Sequence, residues 1–253
     1  MTRLQSVLVA NAASCVGFGA LFLLWPTGVS GFLGKVPPGV LVLLGIGLIG
    51  NGLHLAYAAK RGAGAAEVLW FSLLDLGWWL GSLGLVASGM WVVRPGGVAA
   101  CLVVAVCVAA LGLVQLFELG RGRAGRSGAA HLRAIGRSWL VLPRWVKVWL
   151  WGLNALFLLS PVFLPWAEAQ VVLLAYVASG PLLAAFAFVE GGLSRAMGLA
   201  HLIPWAPLPV WLAGWGAQPY AGVLAAAVAI CLAFDLYDLA RWLRGDRAVM
   251  GSG

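Results

Sequence analysis

The chain carries eight apolar stretches, and their length constrains the fold more than any other feature. A helix of roughly 20 residues crosses the hydrocarbon core of a bilayer, which is about 30 Å thick. Because the apolar residues run continuously and do not alternate, the stretches predict helices and not the strands of a membrane barrel. They lie near residues 4–25, 38–59, 66–88, 97–118, 147–165, 168–189, 194–214 and 219–242.

The composition supports an all-α integral membrane protein. Hydrophobic residues make up 62% of the chain and charged residues 9%, which is too few to coat a soluble domain of this size. The chain also contains 35 glycines, a residue that lets helices approach each other closely in lipid. We therefore predict eight transmembrane helices.

The basic residues predict the orientation of these helices. With eight spans and a cytoplasmic N-terminus, all of the 16 Lys and Arg residues except Lys35 and Arg94 fall on the cytoplasmic side. This asymmetry predicts a multi-pass protein of the cell inner (plasma) membrane with both termini in the cytoplasm. The net charge of +8 then reflects topology and attraction to anionic membrane lipids, and no nucleic-acid partner is expected.

Two pairs of segments indicate an internal repeat. Residues 107–123 align without a gap on 227–243, so that Gln115 matches Asp235 and Glu118 matches Asp238. The segment 17–26 also matches 152–161. We predict two tandem four-helix repeats in one orientation, related by a pseudo-twofold axis along the membrane normal. Convergence between Leu- and Ala-rich helices is the alternative explanation.

The repeat divides the chain into four predicted regions. A first four-helix membrane repeat covers 1–119, and a second covers 146–247. Between them, residues 120–145 form a basic cytoplasmic linker whose second part is amphipathic, which predicts a short helix in the headgroup region. His131 in this linker is expected to be exposed, and residues 248–253 form a short tail.

Polar side chains within the spans cluster at one depth, near the predicted cytoplasmic ends. Charged groups in hydrocarbon cost roughly 2.5–3.5 kcal/mol each on insertion scales, so they usually face a bundle interior or a wet cavity. We predict a polar chamber whose ligand-binding or proton-relay candidates are Asp75, His54, Asn51, Asp235, His201, Asp238 and Glu118. In the alternative interpretation, Glu118–Arg121 and Asp238–Arg241 are merely interfacial ion pairs.

Prolines predict irregular helices beside this chamber. Pro204, Pro207 and Pro209 must break or kink the seventh span, and Pro181 is expected to interrupt the sixth. Discontinuous helices near polar side chains are typical of transporter binding sites.

The leading functional hypothesis is binding or transport of a small molecule, ion or lipid through the chamber. One alternative is a non-catalytic accessory or assembly subunit that binds a partner membrane protein or forms a homo-oligomer. Another is a membrane enzyme acting on a lipid-like substrate, but no phosphate loop, nucleophile elbow or H-E-x-x-H motif supports catalysis.

No cofactor is assigned from the sequence. Haem would need axial ligands on facing helices, for which His54 and His201 are the candidates. His201, Asp235 and Asp238 have suitable types for metal ligation, but only helical spacing relates the two acids, so no metal site is predicted.

Overall fold

The computed structural model describes residues 1–214 and 218–250, and within this range the protein is helical and contains no β-sheet. The all-α prediction is therefore confirmed for the described residues. The helices are α1 (Arg3–Leu24), α2 (Pro26–Leu33), α3 (Pro38–Arg61), α4 (Ala65–Ser88), α5 (Pro95–Arg123), α6 (Gly128–Leu140), α7 (Arg144–Leu158), α8 (Ser160–Phe163), α9 (Trp166–Glu190), α10 (Gly198–Trp205), α11 (Leu208–Ala213) and α12 (Pro219–Leu243).

Six of these helices, α1, α3, α4, α5, α9 and α12, are long and apolar enough to cross a membrane. The other two predicted spans consist of shorter helices. Residues 144–163 form α7 and α8, which are separated at Leu159 because Pro161 fits the first turn of a new helix. A 3-10 turn at Arg195–Met197, then α10 and α11, take the place of the seventh span.

The prolines differ in their effect on the helices. The predicted break in the seventh span is confirmed, because α10 ends at Trp205 and α11 begins at Leu208. The predicted interruption of the sixth span is wrong, since α9 continues through Pro181. A single proline removes one hydrogen bond of a 25-residue helix, and the flanking bonds maintain the others.

The chain forms two compact units, and the first contains Met1–Leu119. In this unit α1 and α3 pack closely and run in opposite directions. A Cβ on Gly19 would lie 2.9 Å from the carbonyl oxygen of Gly45, and one on Gly52 would lie 3.0 Å from that of Ala12. The missing side chains thus let the two backbones touch. Leu8, Leu55 and Phe71 form a buried cluster that adds α4 to this pair.

The second unit begins at Gly120, and its helices α9 and α12 run in the same direction. At one end the Phe163 ring, just before α9, stacks on Tyr220 in the first turn of α12 with centroids 4.9 Å apart. At the other end the Met250 amide donates to the Leu193 carbonyl at 2.9 Å. Between α9 and α12 the chain returns along α12 as α10 and α11. These helices enclose a core that includes Phe157, Trp205 and Leu224.

Candidate functional site

A cavity of about 570 Å³ lies among α7, α9, α10 and α12 of the second unit. Its wall is mostly apolar, and its polar side chains occur at three levels. Arg195 and Asp238 lie near the end where α9 and α12 finish, His201 and Asp235 lie further in, and Asn154 and Tyr176 lie deepest. We call it the unit 2 cavity.

His201 and Asp235 form the central pair of the unit 2 cavity. The Nδ1 of His201 lies 3.0 Å from Oδ2 of Asp235, and the two side chains are 13% and 16% exposed. The imidazole also stacks on the Trp205 ring, with centroids 4.2 Å apart and planes inclined by 16°. Because Nδ1 donates to the carboxylate, Nε2 is the nitrogen that has no hydrogen-bond partner among the described residues.

The inner end of the cavity is aromatic and hydrogen-bonded. Tyr176 donates its hydroxyl proton to Oδ1 of Asn154, whose Nδ2 donates to the Leu150 carbonyl at 2.7 Å. Phe157 packs on Tyr176 with ring centroids 5.1 Å apart. Pro181 has no N–H to donate to the carbonyl of Val177, which also lines the cavity.

An ion-pair network lies at the outer end of the cavity. Arg195 pairs with Asp238, and its Nε lies 3.0 Å from Oδ2 of Asp246. Arg241 pairs with Asp246 at 2.6 Å. Partial desolvation raises the pKa of Asp246, but the charges and hydrogen bonds of Arg195 and Arg241 outweigh it, so its pKa lies below the usual value. The stabilisation from Asp246 is thus present near neutral pH and disappears as the pH falls through this lowered pKa.

In the alternative interpretation of the sequence, Asp238 would pair with Arg241, three residues further along the same helix. Asp238 pairs instead with Arg195, which lies on the 3-10 turn before α10. Arg241 turns to Asp246 beyond the end of α12. Arg195, which tertiary packing brings near, thus pairs both with Asp238 on α12 and with Asp246 just beyond it.

A second cavity, of about 460 Å³, lies in the first unit and contains Asp75 and Asn51. We call it the unit 1 cavity. Asp75 is 5% exposed, and its Oδ2 accepts hydrogen bonds from Nδ2 of Asn11 and Nε2 of Gln115, both at 2.8 Å. The Nδ2 of Asn51 lies 3.6 Å from Sγ of Cys15. Amides from α1 and α5 thus satisfy the buried carboxylate from two sides.

The remaining candidates, His54 and Glu118, are not among the lining residues of either cavity. His54 is nearly half exposed, and its Nε2 lies 3.3 Å from Oε1 of Glu67, which also pairs with Arg61. Of the two deep acids, Asp235 therefore has a histidine beside it, whereas the described bonds of Asp75 go to amides. Glu118 is buried on α5, three residues beyond Gln115.

His131 is buried and not exposed as expected from the sequence. Its side chain is fully buried, and Nε2 lies 2.8 Å from the Phe188 carbonyl near the end of α9. The amphipathic pattern predicted helix α6. It did not predict that His131 on this helix packs against α9.

Among the side chains of the unit 2 cavity region that were not predicted as candidates are Tyr176, Arg195 and Cys231. Cys231 precedes Asp235 by four residues and therefore lies on the same face of α12, so the spacing alone could have identified it. Its Sγ lies 3.6 Å from Oδ2 of Asp235. Nothing in the sequence indicated that Arg195 and Tyr176 lie beside these residues.

Comparisons of the chain with protein-family models, with curated proteins and with solved structures found no match.

Proposed function

We propose that this multi-pass membrane protein binds a small molecule with a polar head and an apolar body in the unit 2 cavity. The cavity carries this proposal, because its volume of about 570 Å³ falls within the range of small-molecule sites. Such sites combine apolar walls with a few polar groups that orient the ligand. In this cavity His201 and Asp235 are those groups at mid-depth.

The arrangement of the polar groups supports an amphipathic ligand. Nε2 of His201 is available to a polar head, while Phe157 and Trp205 offer apolar surface deeper in the unit. The cavity wall includes α10, the first half of a broken helix. Discontinuous helices of this kind surround the substrate in many secondary transporters, so transport of the bound molecule is part of the proposal.

We also propose eight membrane crossings, in the inner membrane, with both termini in the cytoplasm. Helices α9 and α12 run in the same direction, so two crossings in that sense require a return crossing, which α10 and α11 supply. Helix α7 supplies the other crossing in the opposite sense. It begins near the Ser138–Leu193 hydrogen bond, at the end where α9 finishes, and reaches the end where Tyr220, at the start of α12, donates to the Leu156 carbonyl. The second unit then contains four passes.

The internal repeat is a further part of the proposal. In the first unit the third long helix contributes Asp75 and the fourth contributes Gln115, and these side chains are hydrogen-bonded. In the second unit His201 and Asp235, from the corresponding third and fourth positions, are bonded to each other. This parallel supports two related four-helix halves, although the acid lies on the third helix in the first unit and on the fourth in the second.

Single-cysteine labelling tests the topology. In a variant whose native cysteines are replaced by serine, Gly96→Cys is expected to react with a membrane-impermeant maleimide added to intact cells, and Gly128→Cys only after lysis. Cytoplasmic labelling at Gly96 would contradict the proposed span count. Ala217, the second position expected to face outward, lies outside the described residues.

Cysteine accessibility also tests the cavity. Ala184 lines the unit 2 cavity, whereas its neighbour Ala185 is buried and does not. In the cysteine-free protein, Ala184→Cys is expected to react with a small charged methanethiosulfonate at least about tenfold faster than Ala185→Cys, because the reactive thiolate forms where water reaches the thiol. Equal, slow reaction at both positions would favour a sealed unit and the accessory-subunit alternative.

A further inference from the structure

We infer that His201, Cys231 and Asp235 form a binding site for a zinc-like transition-metal ion in the wall of the unit 2 cavity. Each residue offers one ligand atom, and the three atoms all lie within 4.8 Å of one another. The inference rests on the proposed function, because it identifies the group that would hold the polar head of the ligand.

Two of the three distances between ligand atoms fit one ion with little rearrangement, and the third, from Nδ1 of His201 to Sγ of Cys231, lies within 4.8 Å. Tetrahedral zinc with Zn–S of about 2.3 Å and Zn–N or Zn–O of about 2.0–2.1 Å places neighbouring ligand atoms roughly 3.3–3.6 Å apart. In the protein, Nδ1 of His201 is 3.0 Å from Oδ2 of Asp235, and Sγ of Cys231 is 3.6 Å from the same oxygen. A shift of a few tenths of an ångström therefore suffices for the two measured pairs.

The ligand types select the class of metal. A thiolate, an imidazole and a carboxylate suit zinc and neighbouring transition metals, whereas magnesium and calcium require oxygen ligands throughout. The proposed ion also accounts for the shared proximity of these side chains. In its absence, Nδ1 of His201 and Sγ of Cys231 both donate to Oδ2 of Asp235.

Packing holds the three ligands in place. Cys231 and Asp235 lie four residues apart on one face of α12. His201 is fixed on α10 by its stacking on Trp205, and α10 approaches α12 closely at Gly198. Binding of the ion would release the protons of the thiol and of Nδ1 to water, since only the deprotonated groups are ligands.

Three protein ligands leave a fourth coordination position for water or a bound molecule, as in catalytic zinc sites. His201 and Asp235 both line the cavity, so this position would face the space where the proposed ligand binds. A carboxylate, phosphate or hydroxyl head group would then complete the coordination sphere.

Metal titration of the purified full-length protein tests the site. After chelator treatment and removal of any histidine tag, the protein is titrated with Co²⁺ and separately with Zn²⁺, and bound metal is measured by mass spectrometry after dialysis. We expect about one equivalent of metal. The Co²⁺ form should show a thiolate-to-cobalt charge-transfer band. No stoichiometric binding, or cobalt binding without this band, would overturn the inference.

Cysteine variants provide the matched comparison. Cys231→Ser is expected to lower metal affinity by more than about a hundredfold, because even residues that only orient metal ligands are worth about 10–100-fold. Cys101→Ser removes a thiol from a membrane helix outside the cluster and should bind metal as the wild type does. Unchanged affinity in Cys231→Ser would overturn the inference. If that variant does not fold, the cobalt spectrum of the wild type decides.

The metal site and the proposed function fail in different experiments. Reaction of Ala184→Cys with the charged reagent, together with an absence of metal binding, would leave a wet cavity without an ion and refute the metal site alone. Stoichiometric metal in the wild type, together with no reaction of Ala184→Cys in the cysteine-free protein, would support the ion but refute the open cavity.

Discussion

Replacing Gly198 with alanine is expected to destabilise the second unit and to separate His201 from Asp235. A Cβ at this position would lie 2.8 Å from the backbone oxygen of Asp235 and 3.0 Å from its Cα. Because these atoms belong to the α12 backbone, α10 must move away from α12. Overpacking of this kind costs about 1–3 kcal/mol in the free energy of unfolding. Thermal unfolding in detergent measures the loss.

Gly222→Ala is the matched control for this prediction. Gly222 also lies within a helix, α12, but a Cβ there meets no atom of the described residues within 4 Å. The control should therefore keep or slightly raise the stability, since alanine favours a helix over glycine by about 0.5–1 kcal/mol. Equal melting temperatures for the two variants would show that α10 and α12 do not touch at Gly198.

The six long helices could be predicted because only local properties define them. An uninterrupted apolar run of sufficient length needs no knowledge of its neighbours, and the bounds of α3, α4 and α12 differ little from the predicted stretches. The break between α10 and α11 could also be predicted, because the prolines themselves cause it. Where flanking hydrogen bonds compensate, as around Pro181, the local rule gave the wrong result.

The candidate site could be predicted only in part. Depth along each helix identified Asp75, Asp235 and His201, because a charge inside an apolar span stands out in any sequence. The hydrogen-bond and ion-pair partners of these residues could not be predicted, since they depend on which helices pack together. The pairing of Arg195 with Asp238 and of Gln115 with Asp75 follows from tertiary packing that helical spacing does not encode.

The two deep acids differ in their surroundings although the sequence treats them alike. Asp235 has a thiol and an imidazole beside it, both able to bind a metal. Asp75 has two amide donors that bind a single oxygen, Oδ2. The first environment suits an exchangeable ligand, whereas the second suits a fixed connection between α1, α4 and α5.

We therefore expect Asp75→Asn to retain the stability of the wild type and Asp75→Leu to lose about 2 kcal/mol. The carboxamide oxygen of asparagine can take the place of Oδ2 and accept both hydrogen bonds, with no charge to bury. Leucine would leave the amides of Asn11 and Gln115 buried without an acceptor, at a cost of about 1–3 kcal/mol for each group in water-soluble proteins and about 0.6–1.7 kcal/mol for bonds in membrane helices. Thermal unfolding in detergent compares the variants.

Removing the whole cluster separates the two causes of that loss. In the triple variant Asn11→Leu, Asp75→Leu, Gln115→Leu no amide is left unsatisfied, so the stability should recover most of the difference between Asp75→Leu and the wild type. Failure of the triple variant to recover would indicate that the leucine at position 75 clashes with a close neighbour such as Gly112, where a Cβ would lie 2.8 Å from that of Asp75. Loss of stability in Asp75→Asn itself would instead show that the negative charge holds α1, α4 and α5 together, because asparagine preserves the shape and both acceptor bonds.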